Sequence, residues 1–381
     1  MFDLISYFRN VRRSEVWAML LLAFCSLGLS VAATAQDCYI ISTIDAANAG
    51  TEPNQGTIPY IINGRGSIAG YYFDVDYVYH GFLRAPNSSI TPIDDPKADG
   101  NDTCPYGLNW EGAITGWYWD ASAHNYYGFL RAPDGTFTSF DYQGAESWGI
   151  SINPAGWIAG GYYGPNYVAH GLVRAPDGTI TPFDAASGAL TAYPQGTWCE
   201  SINPAGVITG YYINASNITK GFVRAPDGTI TLFEGRRGVS YTEAFSINPQ
   251  GVITGTYEDA GGVYHGFVRI PEGLIFTIND WNGGTSRGQG TEPQSISAAG
   301  EIVGYYIDSK DVYHGFVLSP QSHFITLDDP NAGTKSGQGT FAFANNAAGE
   351  VTGSYLDKKG VYHGFVAIPL QKDHGQWVSR H

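Results

Sequence analysis

The chain has 381 residues and a formal net charge of −15 at pH 7. Nucleic acids and anionic lipid surfaces bind to basic protein surfaces, which such an acidic protein lacks. We therefore expect neither nucleic acid nor an anionic membrane as a partner. Only 14% of the residues are charged, against roughly 25% in an ordinary soluble domain. With 50 glycines and 14% aromatic residues, the composition predicts an all-β fold with many turns.

The first 35 residues have the pattern of a secretory signal peptide. Three arginines among the first 13 residues precede an apolar segment, Val16 to Val31, and small residues end at Ala35. A retained membrane anchor is the alternative, because the apolar segment approaches the roughly 18 residues that span a bilayer. We predict cleavage after Ala35. The mature protein would then be secreted or periplasmic, without membrane contact.

Cleavage after Ala35 would leave three cysteines in the mature chain: Cys38, Cys104 and Cys199. An odd number in an exported protein allows at most one disulfide and leaves at least one thiol unpaired. The spacing does not decide which pair would form. Because no Cys-x-x-Cys motif occurs, the cysteines indicate no metal site.

A repeated unit fills the rest of the chain. A motif ending in Gly-Phe, or once in Gly-Leu, occurs seven times at intervals of 43 to 50 residues. A fixed period of this length is typical of solenoids, propellers and repeat arrays. The seven motif glycines are Gly81, Gly128, Gly171, Gly221, Gly266, Gly315 and Gly364.

Each period has room for four strands. In the fourth copy they are predicted at 201–203, 207–212, 221–225 and 229–233. The turn sequences Asn-Pro-Ala-Gly and Ala-Pro-Asp-Gly join the first strand to the second and the third to the fourth, and Asp-Gly is typical of hairpin turns. Four antiparallel strands per period of this length predict one blade of a β-propeller.

The two ends of the repeat region complement each other. The last copy has no fourth strand after Pro369, whereas an additional strand of that type, Ile41 to Asp45, stands at the mature N-terminus. We predict that this strand completes the last blade, because ring closure protects sheet edges. The predicted organisation is a signal peptide (1–35), one seven-bladed β-propeller (36–370) and a tail (371–381).

A constant separation of 14 residues links the first residue of each motif to a hydrogen-bond acceptor. A hairpin between the third and fourth strands would place the two residues opposite each other, where such pairs stabilise a sheet. Histidine beside aspartate also suggests catalysis, but repetition around a ring favours a structural role. The pairs are His80–Asp94, Tyr127–Asp141, His170–Asp184, Lys220–Glu234, His265–Asn279 and His314–Asp328, with Asp45 as the predicted partner of His363.

The repeated pattern Ile-Asn-x-x-Gly-x-Ile-x-Gly-Tyr, followed by His-Gly-Phe and Asp-Gly-Thr-Ile-Thr, resembles the bacterial extracellular HAF-repeat family. That family is named after a His-Ala-Phe core, and this chain has glycine where the family usually has alanine, for example at Gly81 and Gly128. The resemblance covers essentially the whole mature chain. It implies an exported bacterial propeller and contributes no catalytic residues.

The variable loops predict the binding face. They follow the second and fourth strands of each unit and would all lie on one face of a propeller, and ligands bind loops held by a rigid scaffold. Strand aromatics such as Tyr71, Trp117 and Tyr211 either stack on flat ligand groups such as sugar rings or pack between blades. The candidate binding residues on the loop face are Asp74, Asp76, Trp119, Asp120, Asp308, Asp311 and Asp357.

One acidic loop carries the oxygen ligands that calcium prefers. It contains Asp94, Asp95, Asp99, Asn101 and Asp102 but lacks the spacing of an EF-hand. A solvated acidic loop is the alternative to a Ca²⁺ site, and we predict no cofactor.

Two functional hypotheses follow. The first is a monomeric binding or scaffold module whose variable face recognises a carbohydrate or a cell-surface protein. The second is a polysaccharide lyase or hydrolase with its site at the channel mouth, near the long loops 94–104 and 185–199. Because neither a His-Glu-x-x-His zinc motif nor a phosphate-loop motif occurs in the sequence, we predict no catalytic residues.

Overall fold

A computed structural model describes residues 38–187, 190, 192–373 and 376–379. The predicted signal peptide lies outside the described residues. The named elements within them are 29 β-strands and one 3-10 turn at Pro165–Tyr167, so the fold is all-β. No helix in this part of the chain is long and apolar enough to cross a membrane.

The strands form consecutive four-stranded antiparallel units, of which the described residues contain seven. Units 1 to 3 consist of β2 (Gly56–Ile62), β3 (Ile68–Phe73), β4 (Tyr79–Arg84) and β5 (Ile90–Pro92); β6 (Thr103–Leu108), β7 (Ile114–Asp120), β8 (Asn125–Arg131) and β9 (Phe137–Phe140); and β10 (Ser147–Ile152), β11 (Ile158–Tyr163), β12 (Ala169–Arg174) and β13 (Ile180–Phe183).

Units 4 to 6 repeat the same order. They consist of β14 (Gly196–Ile202), β15 (Ile208–Ile213), β16 (Thr219–Arg224) and β17 (Ile230–Phe233); β18 (Tyr241–Ile247), β19 (Ile253–Glu258), β20 (Tyr264–Arg269) and β21 (Ile275–Ile278); and β22 (Gly290–Ile296), β23 (Ile302–Ile307), β24 (Tyr313–Leu318) and β25 (Phe324–Leu327). The predicted strands of the fourth copy are therefore present, although its first strand is longer than the Ser-Ile-Asn segment suggested.

Unit 7 joins the two ends of the chain. It contains β26 (Gly339–Asn345), β27 (Val351–Leu356) and β28 (Tyr362–Asp373), and its fourth strand is β1 (Tyr39–Ile44). Strand β1 pairs antiparallel with β28, with Ile41 opposite Ala367 and Ile44 opposite Gly364. The predicted tail begins inside β28, which continues to Asp373 and pairs with a short last strand, β29 (Gln376–Ser379).

The repeated apolar residues form the core. The phenylalanine or leucine of the Gly-Phe motif is fully buried in every unit, and full burial of such a side chain contributes about 1.5–3 kcal/mol. The first residue of each second strand is also buried, at 0–4% exposure. The Gly-Phe motif is therefore a packing feature. The motif residues are Phe82, Phe129, Leu172, Phe222, Phe267, Phe316 and Phe365.

Buried asparagines link neighbouring units. The Nδ2 of Asn63, at the end of the first strand of unit 1, donates to the carbonyl of Asn109 in unit 2 at 3.0 Å. Equivalent bonds continue from unit to unit as far as Ser297 in unit 6, and Asn346 of unit 7 donates to the carbonyl of Asn63 at 3.0 Å. Ser297 is the one described position of this set that lacks the amide.

A hydroxyl at the first or second residue of each unit's first strand anchors the preceding loop. In unit 1, Thr57 Oγ1 accepts the backbone N–H of Ala46 at 3.0 Å. The other six units have an equivalent bond of 2.9–3.1 Å. The loops between units are thereby tied to the strands that follow them, which gives one face of the protein a rigid base. The other acceptors are Thr103, Ser147, Thr197, Thr242, Thr291 and Thr340.

Candidate functional site

Six of the seven predicted pairs are in contact. His80 Nδ1 lies 2.9 Å from Asp94 Oδ2, and Lys220 Nζ lies 3.0 Å from Glu234 Oε1. The others are His170–Asp184, His265–Asn279, His314–Asp328 and His363–Asp45, at 2.7–3.2 Å.

The remaining predicted pair, Tyr127–Asp141, forms no hydrogen bond in the described part of the chain. Asp141 Oδ1 accepts the backbone N–H of Gly144, and the Tyr127 ring stacks on Tyr118. The carboxylate is used by its own turn, which follows the fourth strand directly, and is therefore not available to the tyrosine.

Three of these histidines lie between two carboxylates, and a fourth lies between a carboxylate and an amide. His80 Nε2 is 3.4 Å from Asp74 Oδ2, and Nε2 of His314 and of His363 likewise lies 3.7–3.8 Å from a second aspartate. His265 Nε2 lies 3.1 Å from Asp259 Oδ2, but its Nδ1 faces the Asn279 amide. Burial opposes protonation of His314, but the carboxylates of Asp328 and Asp308 outweigh it and raise its pKa. Because the histidine bridges strand and turn in the same way in four units, it distinguishes no single site.

The predicted loop-face aspartates are engaged in their own turns. Asp74, Asp308 and Asp357 each accept two backbone N–H groups of the following turn. Asp120 caps the turn at Ser122, and Asp311 accepts a bond from Gln289 Nε2 at 2.8 Å.

The Trp119 ring packs on Tyr126, with 4.6 Å between their centroids. Asp76 contributes its backbone N–H to Asp74. None of the seven predicted residues lines either of the two cavities described next. Their role in binding stays a prediction.

A bulge in the first strand of every unit places one residue at a common cavity. In unit 1 the register shifts between Pro59 and Ile61, so Tyr60 is the additional residue. All seven bulge residues line a single cavity of about 130 Å³, here called the axial cavity. They are Tyr60, Tyr106, Ile150, Glu200, Phe245, Gln294 and Phe343.

A larger cavity of about 420 Å³, here called the aromatic pocket, shares part of this lining. Its walls combine residues of units 1 to 4. Most of them lie toward the start of a first or third strand or the end of a second strand. These strand ends are on the side of the variable loops. Eight of its residues are aromatic: Tyr60, Tyr106, Trp117, Tyr126, Trp148, Tyr163, Trp198 and Tyr211. The others are Glu146, Ser147, Ile150, Cys199 and Glu200.

The aromatic side chains of units 3 and 4 form a stack. The rings of Trp148 and Trp198 have centroids 5.9 Å apart and an interplanar angle of 27°, and Tyr211 continues the stack at 6.2 Å and 16°. Tyr163 meets Trp198 edge-on. Trp198 Nε1 donates to the carbonyl of Pro194 at 3.0 Å, which fixes the indole against the loop that precedes β14.

Exposed tyrosines mark the mouth of the aromatic pocket. Tyr167 and Tyr193 are 60% and 63% exposed, and both contact Tyr163 in the pocket wall. Tyr193 belongs to the 185–199 loop, which the sequence had indicated as one of two candidate regions. That loop therefore adjoins the pocket through Tyr193, Pro194 and Trp198.

Three glutamates lie at or beside the axial cavity on first strands of units 4 to 6. Burial, and then the neighbouring Glu243, raise the pKa of Glu200 to about 8. Burial likewise raises the pKa values of Glu243 and Glu292 to about 7. The Glu200 side chain makes no hydrogen bond to any described residue. Its carboxyl is thus a proton-holding group that faces a cavity.

The cysteines offer little chemistry in this fold. Cys104 and Cys199 are buried and form no disulfide. Burial raises the pKa values of both thiols, and a protonated thiol is a poor nucleophile and metal ligand. Across the described ranges, no group of three or more histidine, cysteine, aspartate or glutamate side chains could hold a metal ion.

Sequence reasoning missed the first-strand residues that build the pocket. A signal was available, because the residue that follows the repeated Thr or Ser of the first strand differs from copy to copy. Units 3 and 4 have tryptophan there, and units 5 and 6 have glutamate. The seven residues are Ile58, Cys104, Trp148, Trp198, Glu243, Glu292 and Phe341.

No family model and no curated protein matches the chain. Among solved structures it is similar to a streptogramin B lyase, with a TM-score of 0.55 at 12% identity over 88% of this chain and 100% of that one. A virginiamycin B lyase from Staphylococcus aureus aligns with a TM-score of 0.54 at 12% identity, over 87% and 99%.

The β-propeller domain of the Trilobed protease from Pyrococcus furiosus aligns with a TM-score of 0.55 at 7% identity, over 85% of this chain and 96% of that one. At identities this low the likeness concerns the fold alone. The chain has a propeller-type all-β fold.

Proposed function

We propose that this protein is a ligand-binding module, and that its aromatic pocket holds a small organic molecule at the variable-loop face of a seven-bladed propeller. The observation that carries the proposal is the convergence of eight aromatic side chains around a cavity of about 420 Å³. Binding pockets are typically concave, mostly apolar and supplied with a few polar groups that fix orientation.

The closed ring is part of this proposal. Two observations support it: β1 pairs with β28, and Asn346 of unit 7 donates to the carbonyl of unit 1 residue Asn63. A closed ring would hold the pocket walls of units 1 to 4 at fixed positions, because each unit is then packed on both sides. A rigid wall lowers the entropy cost of binding.

The cellular setting is also proposed. The signal-peptide pattern and the resemblance to HAF repeats support export from a bacterial cell, and the acidic, weakly charged composition supports a monomer that avoids nucleic acid and anionic lipid. A carbohydrate or a cell-surface partner bearing flat groups is the natural first class to screen, because sugar rings stack on tryptophan and tyrosine.

Tryptophan fluorescence titration with a panel of glycans and small molecules tests the proposal. A ligand of the aromatic pocket should quench or shift the emission, and Trp198→Leu should weaken its binding about tenfold or more. Trp281→Leu is the matched control, because Trp281 is 70% exposed and lies outside the pocket. Binding that survives Trp198→Leu unchanged would remove the pocket from the proposal.

A second candidate is a polysaccharide-active lyase or hydrolase. The specific observation that favours it is Glu200, whose pKa of about 8 keeps its carboxyl protonated near neutral pH beside the aromatic walls. A protonated carboxyl is the form that a general acid requires. Product analysis of every glycan that binds separates the two candidates: turnover that is lost in Glu200→Gln supports an enzyme, and binding without products supports a module.

A further inference from the structure

All the charged side chains that line the aromatic pocket are acidic. Its charged residues are two carboxylic acids, Glu146 and Glu200, and its lining includes no lysine, arginine or histidine. Anionic ligands would meet acidic side chains and the negative faces of aromatic rings, with no basic group to pair with. The pocket chemistry therefore excludes phosphate, sulfate and carboxylate compounds as preferred ligands.

The neutral hydrogen-bonding groups of the pocket are largely occupied. Ser147 Oγ accepts the backbone N–H of Tyr142 and donates to the carbonyl of Ala145. Trp198 Nε1 donates to Pro194, as described above. A neutral polyol needs several fixed donors and acceptors for its hydroxyls, and few remain besides the tyrosine hydroxyls and the two carboxyls.

An organic cation satisfies both features. Ammonium groups are attracted to the faces of tryptophan and tyrosine within about 6 Å of the ring centroid, and aromatic cages are a known solution for quaternary ammonium ligands. Trp148, Trp198 and Tyr211 line the pocket from two adjacent units, with their ring planes within 27° of the next ring in the stack. Glu200 stands at the junction of the pocket with the axial cavity, where it could meet the positive charge.

We infer that the aromatic pocket selects an organic cation, namely a molecule bearing a protonated amine or a quaternary ammonium group, which stacks among Trp148, Trp198 and Tyr211 and pairs with Glu200. This inference rests on the proposed binding function and names its ligand class. Glu243 lies beside Glu200 and strengthens the negative potential on the same side of the cavity.

A pH dependence follows from the groups around Glu200. They are Glu243 from β18, Tyr60 from β2, Tyr211 from β15, and the adjacent Cys199 on β14. None is basic, and Glu146 is the other acid of the pocket. Because the Glu200 carboxyl holds its proton up to a pKa of about 8, a cation must displace that proton to pair with it. Affinity for the cation should therefore rise between pH 6 and pH 9.

The experiment compares matched probes by calorimetry and tryptophan fluorescence on the mature protein. Choline is paired with its neutral isostere 3,3-dimethylbutan-1-ol, and glucosamine is paired with glucose. We expect each cation to bind about tenfold or more tightly than its neutral partner, and choline to gain affinity as the pH rises. Choline carries a permanent charge, so any pH dependence of its binding must come from titration of groups on the protein.

Two variants localise the effect. Glu200→Gln nearly preserves the shape of the side chain and should weaken choline binding about fivefold or more at pH 9 and remove its pH dependence. Trp198→Leu should weaken binding of choline about tenfold or more, whereas Trp281→Leu should leave it unchanged. Thermal melting of each variant checks folding, and the probe comparison on the unaltered protein stands without any variant.

The outcomes separate the inference from the function beneath it. Neutral compounds that bind as tightly as their cationic partners would overturn the cation inference and leave the binding module in place. Choline binding that ignores both Glu200→Gln and Trp198→Leu would overturn the assignment to this pocket. If none of the four probes and none of the glycans bound at all, both the inference and the proposed function would be wrong.

Discussion

His363 Nδ1 lies 3.1 Å from both carboxylate oxygens of Asp45, although 318 residues separate the two along the chain. The pair joins the third strand of unit 7 to the N-terminal strand that completes it. Its counterpart in unit 3, His170–Asp184, joins strands that are neighbours in sequence. The same contact is thus made once between the chain ends and elsewhere within a hairpin.

Asp45→Ala should lower the stability of the protein by loosening the attachment of β1. We expect a loss of about 1 kcal/mol in the free energy of unfolding, because the pair is partly exposed and an ion pair of this kind contributes little more. Asp184→Ala is the control for loss of an equivalent pair within one hairpin. Thermal melting compares the two, and an unchanged melting temperature in Asp45→Ala would contradict the closure role.

Ser297→Asn should stabilise the protein. Asn248 already donates to the Ser297 carbonyl, but the serine has no amide to pass the link on to unit 7. A cavity of about 280 Å³ beside Ser297 and Asn346 leaves room for the larger side chain. One additional buried hydrogen bond should contribute about 1 kcal/mol.

Chemical denaturation measures this gain, and the reverse change at an intact link, Asn203→Ser, should cost a similar amount or more. Asn203 is 2% exposed, donates to the carbonyl of Asn248 and accepts two backbone N–H groups of its turn. A loss of stability in Ser297→Asn would show that the serine is required by the local packing.

Gly56→Ala should be strongly destabilising. Gly56 begins the first strand of unit 1 with φ of +118°, and a Cβ there would lie 1.9 Å from the carbonyl oxygen of Tyr362 in unit 7. Either the glycine or the neighbouring unit must move, at a cost of about 3 kcal/mol or more.

Gly100→Ala is the matched control for this substitution. Gly100 also has positive φ, at +82°, but a Cβ there would meet nothing within 4 Å. Gly100→Ala should therefore cost only the strain of placing alanine at positive φ, about 1–2 kcal/mol. Equal losses in the two variants, measured by denaturant unfolding, would mean that the close approach of units 7 and 1 is unimportant.

The stability of the protein should fall as the pH rises from about 5 to 8. Burial raises the pKa of Glu200 to about 8 in the folded state, above its value in an unfolded chain, so the folded state binds more protons in this window. Unfolding therefore becomes easier as Glu200 loses its proton. Glu243 and Glu292 shift in the same direction.

Glu200→Gln should make the melting temperature less dependent on pH. We expect the variant to gain about 1–2 kcal/mol relative to the unaltered protein at pH 8.5, after allowance for water in the cavity, and little at pH 5. Differential scanning calorimetry across this range checks the sign. A variant that is relatively more stable at pH 5 than at pH 8.5 would contradict the burial of an acid at this position.

The raised pKa of His314 also makes the stability of the protein depend on pH in this range, but for a different reason. The carboxylates of Asp328 and Asp308 favour the protonated imidazole, so this contribution is present at low pH and is lost as the pH rises through the folded-state pKa. Asp328→Asn should lower the melting temperature at pH 5.5 more than at pH 8.5. Glu200→Gln should therefore raise stability at high pH, whereas Asp328→Asn should lower stability at low pH. These opposite effects distinguish the contribution of the buried glutamate from that of the histidine pair.

Repetition made much of the fold predictable. Seven near-copies identify the strands, the Asn-Pro-Ala-Gly and Asp-Gly turns and the 14-residue pairs, because each copy must solve the same packing problem. The offset between the chain ends identified β1 as the partner of β28, since an additional strand and a missing strand of one type pair best with each other. Tyr127–Asp141 failed because a turn residue competed locally for the carboxylate.

The candidate site depended on tertiary structure. Alternation along a strand predicts which residues share a face, but the bulge at Tyr60, Glu200 and their equivalents shifts that alternation by one residue, so the sequence alone assigns them no face. The pocket then joins side chains as distant as Tyr60 and Tyr211, from units packed side by side. The sequence by itself determined the repeated unit and the strand that pairs the chain ends; only tertiary packing decided which of the residues that differ between copies meet around one cavity.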